Sequence, residues 1–213
     1  MKYWAPVLLA VSLAALTARS EPLVVGRFSA GDLAGWQMRE FEGETRYRIV
    51  ELDGQRVLEA DSVSSASSLY FEREIDLAAT PVLEWRWRID RTLGVSDERV
   101  KQGDDFAARV YVVAPGEGWF SLPIAISYVW ARGARVGDAW PNPFTAKVTM
   151  FALDSGDRHA GAWRTHRRNV RADFKRLFGR DVDRLEGVAV MTDSDNSGRR
   201  ARAWYGDIVF RPE

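Results

Sequence analysis

The chain of 213 residues contains no cysteine. That absence removes disulfides, thiolate nucleophiles and cysteine metal sites together. Histidine is almost missing as well: there are two, His159 and His166, at no metal-ligand spacing. No nucleophile elbow accompanies them, so a Ser-His-Asp hydrolase has no motif behind it, and both read as surface residues. There is no excess of either charge, with 30 basic and 30 acidic residues. A dedicated nucleic-acid binder would carry a clear basic excess. Beyond residue 20 there is no apolar run long enough to span a bilayer. Internal repeats and low-complexity tracts are lacking too.

What is present starts with a leader. Lys2 supplies a positive start, Val7 to Leu16 an apolar stretch, and Ala18-Arg19-Ser20 a small-x-small cleavage site. Residues 1–20 therefore read as a cleavable signal peptide and 21–213 as one domain, exported to the periplasm or secreted. The mature part keeps 28 basic against 30 acidic residues. Its core must hold it without disulfides, and eight of the chain's nine tryptophans, all but Trp4, are available for that.

Residues 83–90, Leu-Glu-Trp-Arg-Trp-Arg-Ile-Asp, carry the most information. A strand sends alternate side chains to opposite faces. Leu83, Trp85, Trp87 and Ile89 thus make an aromatic core face, and Glu84, Arg86, Arg88 and Asp90 a charged one. Further short strands recur at Tyr47–Glu51, Val57–Ala60, Leu69–Ile75, Ala107–Val113, Ile124–Trp130, Lys147–Ala152, Gly187–Thr192 and Ala203–Phe210. Phe28 to Trp36 reads as an edge strand turning into a loop, and Asp53-Gly54 marks a tight hairpin. One helix interrupts the pattern, capped by Asn169, striped by Val170, Phe174, Leu177 and Phe178, and stopped by Gly179. The fold class that follows is mainly β, a two-layer antiparallel sandwich of jelly-roll type with one short helix in its C-terminal half.

The segments Gly103-Asp-Asp-Phe-Ala-Ala-Arg-Val-Tyr-Val-Val113, Ile126-Ser-Tyr-Val-Trp130, Val190-Met-Thr-Asp-Ser-Asp-Asn-Ser-Gly198 and Trp204-Tyr-Gly-Asp-Ile-Val-Phe210 resemble a family of exported bacterial proteins, DUF3047, a domain of unknown function. The similarity runs over nearly the whole mature chain. It implies an exported single domain and brings no activity or site residues with it. Gly31-Asp-Leu-Ala-Gly-Trp36, followed by strands, is similar at the level of fold to jelly-roll carbohydrate-binding modules.

Candidate ligand residues fall into three groups. Arg86 and Arg88 share a strand face about 7 Å apart, and the next strand is expected to set Arg109 and Tyr111 beside them. Such a cluster suits an anionic group; the alternative is an outer face neutralised by Glu84 and Asp90. Asp104 and Asp105 end a loop and point opposite ways, so they make no catalytic pair, although one of them is placed to meet Arg109 or a sugar hydroxyl. Trp119 and Trp140 lie among Gly and Pro and are candidate sugar platforms on loops, whereas Trp130 and Trp204 read as core. Asp193-Ser-Asp-Asn-Ser-Gly198 offers Asp193, Asp195 and Asn196 to a hard cation such as Ca²⁺. It is no EF-hand, because Ser197 and Trp204 occupy the fifth and twelfth positions. An acidic hairpin turn is the other reading. Arg168, Arg171 and Lys175 form a basic stripe at helical spacing, either a solvated face or a contact for anionic polymer. These features point to an exported envelope domain that binds a polysaccharide or anionic glycan. The alternatives are a protein-interaction domain and a hydrolase or lyase with two carboxyls about 5–10 Å apart across a cleft.

Overall fold

Alternation decides which side of each strand meets the core, and the strand at 83–90 obeys it: Leu83, Trp85, Trp87 and Ile89 are buried, while Glu84, Arg86 and Arg88 are half-buried on the other face. The computed structural model describes residues 20–94, 97–118 and 121–213. The leader, apart from Ser20, and Trp119 lie outside the described residues.

The strands, in chain order, are β1 (Leu23–Gly26), β2 (Trp36–Glu42), β3 (Arg46–Leu52), β4 (Gln55–Val63), β5 (Ala66–Asp76), β6 (Val82–Ile89) and β7 (Arg109–Ala114). They continue with β8 (Ile124–Ala131), β9 (Ala139–Asn142), β10 (Thr145–Ser155) and β11 (Arg164–Asn169). Helix α1 (Val170–Phe178) precedes β12 (Arg184–Asp193), β13 (Arg200–Tyr205) and β14 (Ile208–Arg211).

They form two seven-stranded sheets. In the first, β6 is central: β11 lies along one edge, and β13 and β14 share the other, continued outward by β4–β3 and β1. The second runs β2-β5-β12-β7-β8-β10-β9. Pairing is antiparallel except between β8 and β10, which run parallel. The sandwich is therefore not purely antiparallel. The single strand expected at Ala203–Phe210 divides at Gly206, where the Arg86 side chain crosses so closely that a Cβ would meet its Cγ and Nε at 2.6 Å. Phe28–Ala30 is a 3₁₀ turn, and the edge strand follows it as β2.

Aromatic rings fill the space between the sheets. Trp85 and Trp87 meet edge to face at 5.5 Å, with Tyr128 and Trp130 reaching them from β8. A buried tryptophan removes about 150–250 Å² from water, contributing roughly 4–6 kcal/mol before entropy is charged. Trp85 Nε1 has no partner in this layer, but the Trp87 indole does. Trp87 Nε1 donates to Asp154 at 2.7 Å, and the same carboxylate is paired with His166 at 2.7 Å and Arg164 at 2.9 Å. Burial opposes the Asp154 charge, yet the bonds from His166 and Trp87 outweigh it and hold the carboxyl below its ordinary value. His166 is thus wedged against Trp85 and Trp87 rather than on the surface.

Helix α1 matches its sequence signals. Asn169 accepts from the Ala172 amide at 2.9 Å, Val170 and Phe174 are buried, and Gly179 adopts the left-handed conformation with φ 69°. The basic stripe is matched by acids, Arg168 at the end of β11 by Asp173, and Arg171 and Lys175 on the helix by Asp183 and Asp181. Among the described residues, no helix is long and apolar enough to cross a membrane.

Candidate functional site

The second sheet has one face on the core and one turned away from it. Val110, Val112, Val188 and Val190 point inward, so Arg109, Tyr111, Ala189, Met191 and Asp193 point outward. Register then aligns them across strands. One row runs Arg39, Ser68, Met191, Arg109; the next runs Gln37, Tyr70, Ala189, Tyr111. Small side chains between larger ones leave a groove of about 990 Å³. Tyr70 and Tyr111 sit two strands apart, about 10 Å, with Ala189 between them. Phe41 from β2 and Phe144 from the β9–β10 turn stand on opposite rims, 61% and 56% exposed. Arg39 stacks on Tyr70 at 5.2 Å from the ring centre.

One end of the groove is closed by charge. Arg109, only 2% exposed, donates Nε to Asp193 Oδ1 at 2.8 Å and Nη2 to Asp193 Oδ2. Its Nη2 also donates to the Asp104 carbonyl and its Nη1 to Tyr111 Oη at 3.1 Å, while the Phe106 ring lies 4.5 Å below the guanidinium. The Phe106 amide donates to Asp193 as well, at 3.2 Å. Asp104 accepts from Asn142 at 3.0 Å and stands 3.6 Å from Arg109 Nη1. Asp105 takes the amides of Asn196 and Ser197 at 3.2 and 2.6 Å, fixing the turn after β12.

Four carboxylates thus surround one guanidinium. Burial pushes the Asp193 carboxyl up to about 8, with Arg109 opposing and Asp104 and Asp105 adding to the rise. Asp104 and Asp195 are raised for the same first reason. For Arg109, burial disfavours the cation, but Asp193, Tyr111 and Asp104 more than offset it and the guanidinium stays charged.

The structure gathers Asp104, Asp105, Arg109, Tyr111, Asp193, Asp195 and Asn196 at this end and separates the rest. Arg86 and Arg88 lie on the outer face of the other sheet, because β7 pairs with β8 and β12 and not with β6. There Arg86 stacks on Trp163 at 4.6 Å and bonds Gln55, and Arg88 pairs with Asp53 at 2.9 Å. Glu84 is held by Arg167 and Arg211. Arg86 is held there without an acidic partner, Arg88 and Glu84 are paired, and the expected three-arginine cluster does not form. Trp140 is no loop platform: it is 7% exposed on β9, packed with Phe106 and Met150. Arg39, Phe41, Tyr70, Asn142 and Phe144 were not legible as site residues, since in sequence they alternate like any solvent-facing set.

A family model described as a protein of unknown function (DUF3047) matches residues 34–209. No curated protein matches the chain. Among solved structures, a family 30 carbohydrate-binding module from a cellulosomal cellulase of Clostridium thermocellum is similar at 12% identity and TM-score 0.53, covering 91% of this chain and 98% of the module. The family 11 module of another cellulosomal cellulase of that organism gives 9% identity and 0.49, covering 91% and 95%. An endoglucanase of Trichoderma harzianum gives 9% and 0.41, covering 84% and 99%. The first of these shows a shared fold.

Proposed function

We propose that this chain, which belongs to the DUF3047 family, is an exported domain that binds a neutral glycan in the groove of its second sheet. One observation carries the reading: a groove of about 990 Å³ with two tyrosines on its floor and an exposed phenylalanine on each rim. A saccharide presents apolar C–H faces and a belt of hydroxyls, so it needs aromatic surfaces beside polar groups. Phe41 and Phe144 offer the surfaces. Ser68, Tyr111 and Asn142 offer the hydrogen-bond partners.

Charge decides between neutral and anionic ligands. The described lining holds three arginines, Arg39, Arg109 and Arg184, against seven acids, among them Glu42, Glu72, Glu74 and Glu186. Arg109 is already spent on Asp193. A uronic acid or phosphate would meet net repulsion there, so a neutral polysaccharide is favoured. The carbohydrate-binding fold neighbour supports a glycan as the ligand class, and the leader sequence supports export.

Calorimetric titration of the purified protein with neutral and with uronic-acid oligosaccharides tests this. Binding to a neutral oligosaccharide is expected, lost in Phe144→Ala and Tyr70→Ala and kept in Arg86→Ala/Arg88→Ala. Loss in the arginine variant alone would move the site to the other sheet. Binding to none of the panel would favour a protein partner.

A further inference from the structure

Two buried carboxylate oxygens at the closed end of the groove have no protein partner. Asp104 is 5% exposed, and its Oδ1 accepts no hydrogen bond; Asp195 Oδ1 is likewise buried and unpartnered. Leaving such an atom desolvated costs about 1–3 kcal/mol, more when it is charged. Asp105, Asp193 and Asp195 each bring a carboxylate oxygen within 4.8 Å of the others. Four carboxyl groups share the one guanidinium of Arg109 in a largely dry site, where ionising all of them would leave a net charge of about −3 that neighbouring amides do not neutralise.

We propose that a calcium ion binds here, held by Asp105, Asp193 and Asp195, with Asp104 beside them. The donors decide the ion. All are oxygens, and neither histidine belongs to the cluster, since His166 is bound to Asp154 and His159 is exposed on a turn. That set suits a hard cation and not zinc or copper. The carboxylates come from a loop, a strand end and the turn after it, an irregular set that calcium tolerates with its 6–8 flexible ligands and magnesium, needing near-ideal octahedral geometry, does not.

The hydrogen bonds already present leave room for it. Asp105 Oδ1 accepts both the Asn196 amide and its Nδ2, but Oδ2 accepts only the Ser197 amide, and Asp193 Oδ2 accepts only from Arg109, so each of these two Oδ2 atoms keeps a lone pair. Asp195 Oδ2 accepts from Asn196 Nδ2 at 3.1 Å, and its Oδ1 is without a partner. Arg109 remains on Asp193 and orients it, as an outer partner orients a metal ligand. The ion would fasten the 103–106 loop, before β7, to the 194–198 turn, after β12. Both loops border the groove, so calcium would set the shape of that end. The inference does not depend on what the groove binds.

Equilibrium dialysis of the chelator-stripped protein against up to ~10 mM calcium tests it, because exported modules bind with dissociation constants of about 10⁻⁴–10⁻³ M. One ion per chain is expected. The unfolding midpoint should rise by about 5–10 °C at a hundredfold excess over the dissociation constant, with magnesium giving much less. Asp195→Asn, altering a half-exposed turn residue, should keep the stripped midpoint and lose the calcium shift. Asp53→Asn, on the far sheet, should keep both. No calcium retained by the native protein, or a full shift in Asp195→Asn, would overturn the proposal. Glycan binding by a protein that retains no calcium in dialysis would sink the cation site while leaving the groove reading intact.

Discussion

Arg109→Met tests how the groove end is held together. The side chain is 2% exposed, its partners Asp193 and Asp104 are nearly as dry, and Tyr111 is half-buried. Methionine keeps much of the volume over Phe106 but removes every donor. Asp193 then loses both of its arginine bonds and keeps only the Phe106 amide. Breaking a buried pair by deleting one partner costs about 3–5 kcal/mol, because the other charge is left in a medium that solvates it poorly. For a domain of this size, 1 kcal/mol moves the unfolding midpoint by about 2–4 °C, so a drop of roughly 6–20 °C is expected. The double variant Arg109→Met/Asp193→Leu removes both charges and should recover a large part of that loss. Urea unfolding of the three proteins, with m-values compared, separates a stability change from a changed denatured state. If Arg109→Met costs less than about 1 kcal/mol, the pair does not hold the site and the reasoning fails.

Asp61 sits between Arg200 and Arg46 at 2.8 and 2.9 Å, and the Arg200 bond in particular holds its carboxyl down to about 2. Because the folded value lies below the unfolded one, its stabilisation is full above about pH 4 and is lost as pH falls through about 2. The shift corresponds to at most ~2.4 kcal/mol, and both arginines are more than half exposed, so about 1 kcal/mol is expected after screening. Asp61→Asn should flatten that part of the acid profile; an unchanged slope would refute it. Asn169→Ala should cost about 1 kcal/mol through the lost helix cap, and Phe174→Ala about 3–5 kcal/mol through a core cavity; equal losses in denaturation would contradict the packing described. Gly187→Ala drives a methyl against Tyr70 Oη and, at 2.5 Å, against the Phe71 carbonyl of the paired strand. It should lower both the unfolding midpoint and glycan affinity, because Tyr70 must shift into the groove; calorimetry showing native affinity would place Tyr70 outside the site.

Local patterns were the ones the sequence exposed. The two faces of β6 were readable because alternation needs only one strand. Helix α1 was readable to the residue, since cap, stripe and stop lie within eleven positions, Asn169 to Gly179. The Asp53-Gly54 turn, with φ of 54° and 73°, was readable from two residues. Strand β11 was not, because Arg164-Thr-His-Arg-Arg-Asn169 has no apolar alternation; its place is set by pairing along β6. Trp140 misled for a related reason. Its proline neighbours signalled a loop, while the packing that buries it comes from Phe106, which lies far back in the chain.

The site depends on that same missing information. Alternation states which residues share a face but not which strands lie side by side. Arg109 and Asp193 are 84 residues apart, and nothing near either one announces the other. Ala66, Ser68, Tyr70 and Glu72 read alone as an ordinary solvent face. They become the floor of a groove only when β12 brings small Ala189 between Tyr70 and Tyr111. Expecting Arg109 beside Arg86 and Arg88 assumed that consecutive strands are neighbours. Here the chain crosses to the other sheet between β6 and β7, through the same loop that delivers Asp104 and Asp105 to the groove. That crossing takes Arg109 away from Arg86 and Arg88 and puts it among the carboxyls of Asp104 and Asp193, which is why the groove lies on the sheet that the tryptophan-rich strand does not belong to.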